Sequence, residues 1–186
     1  MIENKIFEKI DYTAAKLPKE EYENCTFQDC IFYNADLSSL SFYECVFSAC
    51  DFSLAKLNNT LLNDIQFKHC KLLGLRFDNC NDSGLSIHFE NCQLKLSTFF
   101  KLKLIKTKFI NCNLQEVDFT QTDLSGSIFE NCDLQRAVFD GTNLEKVDFS
   151  SSFNFTIDPE KNKIKKARFS NQGLAGLLDK YNLEIV

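Results

Sequence analysis

Tryptophan is absent from this 186-residue chain, and methionine appears once, proline twice and glycine six times. So little glycine and proline excludes collagen-like repeats and low-complexity linker chain. No run of 18 apolar residues occurs, so no membrane-spanning helix is expected. The first 20 residues hold Glu3, Glu8 and Asp11, which does not read as a secretory signal. Lys and Arg number 21 against 26 Asp and Glu, and a net charge of −5 lacks the footprint of a nucleic-acid binder. Catalytic signatures are missing as well: there is no Gly-x-Ser-x-Gly, no phosphate-cradling glycine loop and no His-Glu-x-x-His. These absences point to a soluble, cytoplasmic protein that is not an enzyme and carries no cofactor and no metal. It neither spans a membrane nor binds nucleic acid directly.

What is present is phenylalanine, 19 copies in a chain that is 44% hydrophobic, enough for a sizeable core in one domain. It is distributed by a rule. Phe89-Glu90-Asn91-Cys92-Gln93-Leu94 returns as Phe109-Ile110-Asn111-Cys112-Asn113-Leu114 and again as Phe129-Glu130-Asn131-Cys132-Asp133-Leu134. Recurrence every 20 residues marks a repeat architecture. Within it a bulky apolar residue falls at every fifth position, from Phe7, Tyr12 and Leu17 to Phe77, and again from Phe89 to Phe149. Two residues before each stands a small or modest one, such as Cys25, Ala35, Cys92 or Thr122.

A period of five fits neither a helix at 3.6 nor a strand at 2. It fits a short strand that turns a corner and repeats. The bulky residue and the one two before it then face inward by strand alternation, the residue between them faces out, and the next two make the bend. Phe and Leu alternate strictly in the second half and cysteine recurs at 92, 112 and 132, which four sides per turn satisfies and three would scramble. About 30 such units give roughly seven coils, a rod about 35 Å long at ~4.8 Å per stacked strand. Between Phe77 and Phe89 the spacing slips, around the turn-forming Asn81-Asp82-Ser83-Gly84. Two extra residues, bulging within an interruption at about 81–86, would realign Phe27, Phe47, Phe67, Phe89, Phe109, Phe129 and Phe149 in one stack. They would also align Cys30, Cys50, Cys70, Cys92, Cys112 and Cys132.

After Phe149 the rule decays. Residues 1–155 read as the repeat solenoid and 156–186 as a capping segment, because a stacked rod needs its open ends covered. Asp158-Pro159 is a turn, and Ile164, Ala167 and Phe169 suggest a last inward-facing strand. Ser170 or Asn171 then N-caps a short helix carrying Leu174, Leu177, Leu178 and Tyr181, with an extended end from Asn182 to Val186.

Ala35-Asp36-Leu37-Ser38-Ser39, Thr122-Asp123-Leu124-Ser125-Gly126 and Thr142-Asn143-Leu144 carry a register of small residue, Asp or Asn, then Leu or Phe. It resembles the pentapeptide-repeat family over roughly residues 5–150. The resemblance implies an all-β fold, a right-handed quadrilateral parallel β-helix. The tail from Asp158-Pro159-Glu160 to Ile185-Val186 is similar to the end of microcin B17 immunity proteins, which group with the quinolone-resistance (Qnr) proteins. That resemblance implies engagement of DNA gyrase or topoisomerase IV by mimicry of DNA, giving immunity or quinolone protection, and a homodimer through the C-terminal segment. The single modest interruption departs from the two large loops of Qnr proteins, and the tail helix could fold onto the coil as a cap instead of pairing. A scaffold for another protein partner is the alternative.

All nine cysteines fall in the small inward slot, where a free thiol packs as a small apolar group. His69 and His88 lie outside the inward register, and Asn91, Asn111 and Asn131 suit corners. Eight acids against two bases in residues 111–150 suggest an acidic strip, including Asp118, Asp123, Asp133, Asp140 and Asp148. Phe100 and Ile105 face out among Lys95, Lys101, Lys103, Lys106 and Lys108, as an apolar contact patch would. With Asn81, Asp82 and Ser83 of the interruption, these are the candidate partner-binding residues.

Overall fold

A computed structural model describes residues 1–184. The chain winds into a parallel β-solenoid with four sides, named here from the N-terminus by their inward residues. Side one holds Ile2, Tyr22, Phe42, Leu62, Leu104, Leu124, Leu144 and Ile164. Side two holds the column from Phe7 to Phe169. Side three holds Tyr12, Phe32, Phe52, Leu72, Leu94, Leu114 and Leu134. Side four holds Leu17, Leu37, Leu57, Phe77, Phe99, Phe119 and Phe139.

On side two, seven parallel strands stack in one sheet from Ile6–Glu8 to Ile128–Glu130, and on side one four stack from Ile2–Glu3 to Leu61–Asn63. The remaining levels are joined by single parallel bridges, such as Asp118↔Val138 and Lys103↔Asp123. Each strand is only two to four residues long because the fifth residue of every unit must turn the corner. The turn residue sits in the left-handed region: Asn24, Asp29, Asn34, Asn91, Asn111 and Asn131 have φ of 50–54°. Asn and Asp tolerate that region better than other non-glycine residues. The three Asn of the opening motif are therefore corner residues, and Asn131 Nδ2 also donates to Asn111 Oδ1 at 3.2 Å.

The interior is filled by aromatic stacking. Phe109 lies 5.1 Å from Phe89 and 4.7 Å from Phe129, ring centroid to centroid, while Phe99 and Phe119 meet it edge-on. Offset stacking along the column and edge contacts across it are the two arrangements aromatic rings favour. The interruption leaves this column intact. Phe77–Asn79 forms a single 3₁₀ turn, Gly84 supplies a left-handed corner, and Phe67 pairs with Phe89, their rings 5.5 Å apart.

The inward slot two residues before each bulky one is more particular than its size suggests. Cys132 Sγ points at the Phe109 carbonyl oxygen one coil back (3.3 Å), and Thr122 Oγ1 does the same to Phe99 (2.8 Å). Ser127 reaches Leu104, Ser152 reaches Phe129 and Thr142 reaches Phe119 in the same way. On three of the four corners the slot takes a small side chain that can donate. Reading cysteine there as merely a small apolar group leaves out this contact with a carbonyl one coil back; the Phe99, Leu104 and Phe119 carbonyls each accept a backbone amide three residues on as well.

The stack also runs further than the sequence rule. Asn154 takes a left-handed conformation where a bulky inward residue is due, and Phe155 turns in beside it. Bridges Asn143↔Lys163 and Asp148↔Arg168 then add another coil, and Phe169 stacks on Phe149 at 5.5 Å. Its Ile164, Ala167 and Phe169 face inward but remain half-buried, because no coil lies above them.

The tail continues as Gln172–Leu174, Ala175–Leu178 and Asp179–Tyr181, one short helix flanked by 3₁₀ turns. Ser170 Oγ accepts the Gly173 amide at 3.1 Å, whereas Asn171 makes no capping bond. Of the expected extended end, Ile185 and Val186 lie outside the described residues.

Candidate interaction surface

A filled interior leaves the outer positions as the only ground for recognition, and their placement comes from the four-side count. The candidate acids do not gather. Asp118 and Asp140 belong to side four, Asp123 to side one, Asp133 to side three and Asp148 to side two. Four of them do local work. Asp118, Asp123, Asp133 and Asp148 each accept the backbone amide two residues on, at 2.8–3.1 Å, which fixes the corner. Burial raises the Asp133 carboxyl, yet hydrogen bonds from Gln115, Asn154 and the Gln135 amide bring it below its ordinary range. Burial likewise raises the Asp148 carboxyl, and hydrogen bonds from Ser150 with the charge of Arg168 bring it below its ordinary range. The candidate carboxylates are thus spread around the rod and do not form one strip.

Asn81, Asp82 and Ser83 lie on side one one level below Lys103 and Ile105, so the interruption and Ile105 are brought together with Asp123. Asn81 Oδ1 accepts the Ser83 amide at 2.9 Å. Phe100 lies round the corner on side four, with the Lys101 ammonium 4.7 Å from its ring centroid. Phe100 and Ile105 are exposed, but they belong to different sides.

Two surfaces stand out that sequence reasoning passed over. Ile31, Tyr33, Leu54, Leu73 and Leu96 form an exposed apolar stripe along side three. Leu54 and Leu96 are 53% and 57% exposed and hold φ of 61° and 63°, a conformation in which leucine is uncommon and strained. The signal was there in the sequence as bulky residues at outward and corner positions in addition to the inward one. The second surface is the tail: Leu174, Leu178, Tyr181 and Leu183 are exposed, and only Leu177 of the helix packs against the core.

The tail is nonetheless docked. Gly173 and Gly176 let the helix backbone lie on Phe155: a Cβ at Gly176 would meet the Phe155 carbonyl oxygen at 2.1 Å. The Gly176 carbonyl accepts the Ile157 amide at 3.0 Å. Lys180 Nζ bridges Asp158 and Glu160, each at 2.7 Å, and Tyr181 donates to Glu160. The Lys180 hydrogen bond holds both carboxyls below their ordinary values.

The chemistry on offer is sparse. A shallow cleft between Ser150–Phe155 and the tail helix contains no acid, base or thiol among its lining residues. All nine cysteines are buried and free of disulfides. Burial pushes the Cys45 thiol up to about 11 and that of Cys80 to about 12, which suppresses the nucleophilic thiolate. His69 is a corner residue, and His88 Nδ1 accepts the Lys108 amide at 3.2 Å. Among the described residues no group of three or more His, Cys, Asp or Glu is placed to hold a metal ion, and no helix is long and apolar enough to cross a membrane.

The family model for a pentapeptide repeat region matches residues 85–153, and that for pentapeptide repeats in eight copies matches residues 23–59. The chain belongs to the pentapeptide-repeat family. Two solved structures share the fold. QnrB1 (full length), a plasmid-mediated fluoroquinolone resistance protein, is 20% identical with a TM-score of 0.50, over 97% of this chain and 99% of that one. HetL, a pentapeptide-repeat protein involved in heterocyst differentiation regulation from the cyanobacterium Nostoc sp. strain PCC 7120, is 14% identical. Its TM-score is 0.59, over 92% of this chain and 88% of that one. No curated protein sequence matches the chain.

Proposed function

We propose that this pentapeptide-repeat protein is a non-catalytic binding solenoid whose partner is another protein. The observation that carries this is the side-three stripe. Leucine held in the left-handed region at Leu54 and Leu96 costs stability and leaves apolar surface in water, which is explained if a partner covers it. The exposed tail leucines support a second contact, a homodimer through the C-terminal segment.

Within that class the specific candidate is a type II topoisomerase, DNA gyrase or topoisomerase IV, with immunity or quinolone protection as the consequence. The similarity of the tail to microcin B17 immunity proteins motivates it, as does the fluoroquinolone-resistance role given for QnrB1. Because the acids lie on four different sides, this contact would run through shape and apolar surface more than through an acidic DNA-like strip. The test is gyrase supercoiling with and without ciprofloxacin while the purified protein is titrated. Rescue or inhibition at micromolar concentration is expected, and Leu54→Glu with Leu96→Glu should abolish it. No rescue, inhibition or binding overturns the topoisomerase assignment.

The stripe equally favours a scaffold with a different protein partner. Affinity capture that recovers a defined partner from wild type but not from the double Glu variant supports that reading. Capture of chaperones alone counts against it.

A further inference from the structure

Charge on side one is sorted along the rod more completely than on any other side; side four shows a weaker sorting of opposite sense, with Lys16, Lys19, Lys56 and Arg76 against Asp36 and Asp78 early and Asp118 with Asp140 late. The outward positions of side one's four N-terminal levels carry Glu3, Glu21, Glu23, Glu44 and Asp64, with no lysine or arginine. Those of its four C-terminal levels carry Lys103, Lys106, Lys146, Lys163, Lys165 and Lys166 against Asp123 and Glu145. None of the five N-terminal acids and none of the six lysines makes an ion pair among the described residues. Elsewhere the signs mix: Asp51 and Lys71 sit at equivalent outward positions on adjacent levels of side three, and Arg168 pairs with Asp148 on side two. Lysines serving only to keep the surface soluble would be scattered in that manner.

We infer that side one is an interface between two copies of this chain, packed side by side and antiparallel, so that the acidic half of each meets the basic half of the other. A two-fold axis requires one patch to be complementary to itself, and a side acidic at one end and basic at the other meets that condition only when antiparallel. Nine levels at ~4.8 Å make the side about 38 Å long. With the axis near the interruption, which is the middle level, Glu3 faces Lys163 and Lys165, and Asp64 faces Lys103 and Lys106, whereas Glu21 and Glu23 meet Glu145 as well as Lys146 and Glu44 meets the level of Asp123. Leu61 and Tyr43, both half-buried, and exposed Ile105 then lie between the ionic ends.

The tail helix contacts Phe155, Asp158 and Glu160 and leaves side one open. A side about 10 Å wide covers roughly 380 Å² per copy, below the size of stable specific interfaces, so association should be weak, concentration-dependent and sensitive to salt. It does not depend on the stripe, the tail or the identity of any other partner.

The test uses two full-length charge-reversed variants. One carries Lys163→Glu, Lys165→Glu and Lys166→Glu, and the other carries Glu3→Lys, Glu21→Lys and Glu23→Lys. All six positions are exposed or half-exposed, and thermal unfolding checks that both variants fold. Sedimentation at low salt should find wild type dimeric, and each variant at least tenfold weaker in self-association. An equimolar mixture of the two should recover a heterodimer, because both ends of side one are then acidic in one variant and basic in the other. Wild type that stays monomeric at tens of micromolar, or variants as dimeric as wild type, overturns the inference; the second result would leave dimerisation to the tail. A mixture that fails to recover the heterodimer overturns it too. Loss of affinity for a labelled DNA duplex in the lysine-reversed variant, with self-association unchanged, would assign the lysines to a polyanion instead.

Discussion

Phe129 has an aromatic ring stacked above it and another below; Leu178 in the tail has the helix on one side and water on the other. Both are large apolar residues in a repeat protein of one chain, and their surroundings divide the molecule by task. In the coil interior no buried side-chain nitrogen or oxygen is left unpartnered among the described residues. The tail rests on two glycines, one backbone bond and a lysine held by two carboxylates. Regions with few buried apolar contacts open first. Stability is therefore concentrated in the coil, and adaptability in the tail after Phe169.

The comparison breaks most sharply at a central ring. Phe109→Ala should cost about 3–5 kcal/mol in equilibrium urea unfolding, as for a fully buried ring with stacked neighbours. A near-neutral result would mean that the column is not continuous. Gly176→Val should lift the tail helix off Phe155 with a smaller loss, about 1–3 kcal/mol, confined to the tail. Limited proteolysis after residue 169 reads this out, and unchanged resistance would contradict the close approach. Thr122→Val keeps the shape of the inward slot and removes its donor to the Phe99 carbonyl, so about 1 kcal/mol should be lost. A stabilised variant would restore the simpler view that the slot wants only small apolar groups.

That slot shows where the sequence was readable and where it was not. The Phe column was legible because one residue type recurs at one spacing, and a two-residue insertion predicted the pairing of Phe67 with Phe89. The donor rule was hidden because Cys, Ser and Thr are nearly the same size as Ala and Val, so volume explains them equally well. The last coil was legible in part: Ile164, Ala167 and Phe169 read as an inward-facing strand and do face inward, while Asn154 occupies an inward place and breaks the count before them. The candidate acids looked like a strip along the chain, since 20 residues of sequence pass through all four sides. Only the side assignment disperses them, and the same assignment collects Glu21 with Glu44 and Lys106 with Lys166.

The smallest effect expected is one of pH. Asp158 and Glu160 are lowered in the folded state, so their contribution to tail docking is complete above their ordinary values near 3.8 and 4.5. It is lost as pH falls through the depressed folded values. Proteolytic sensitivity of the tail should be flat from neutral pH down to about 5 and rise only in stronger acid. A transition near neutrality would point to a different group.

Backbone amide hydrogen exchange measured residue by residue tests the central claim most directly, because it reads the coil, the interruption and the tail together. The account predicts one protected block across Phe67 and Phe89, exchanging at the global unfolding limit, beside a tail helix that exchanges far faster. Two coil blocks that open independently on either side of residues 81–86 would contradict it, as would a tail protected as strongly as the coil.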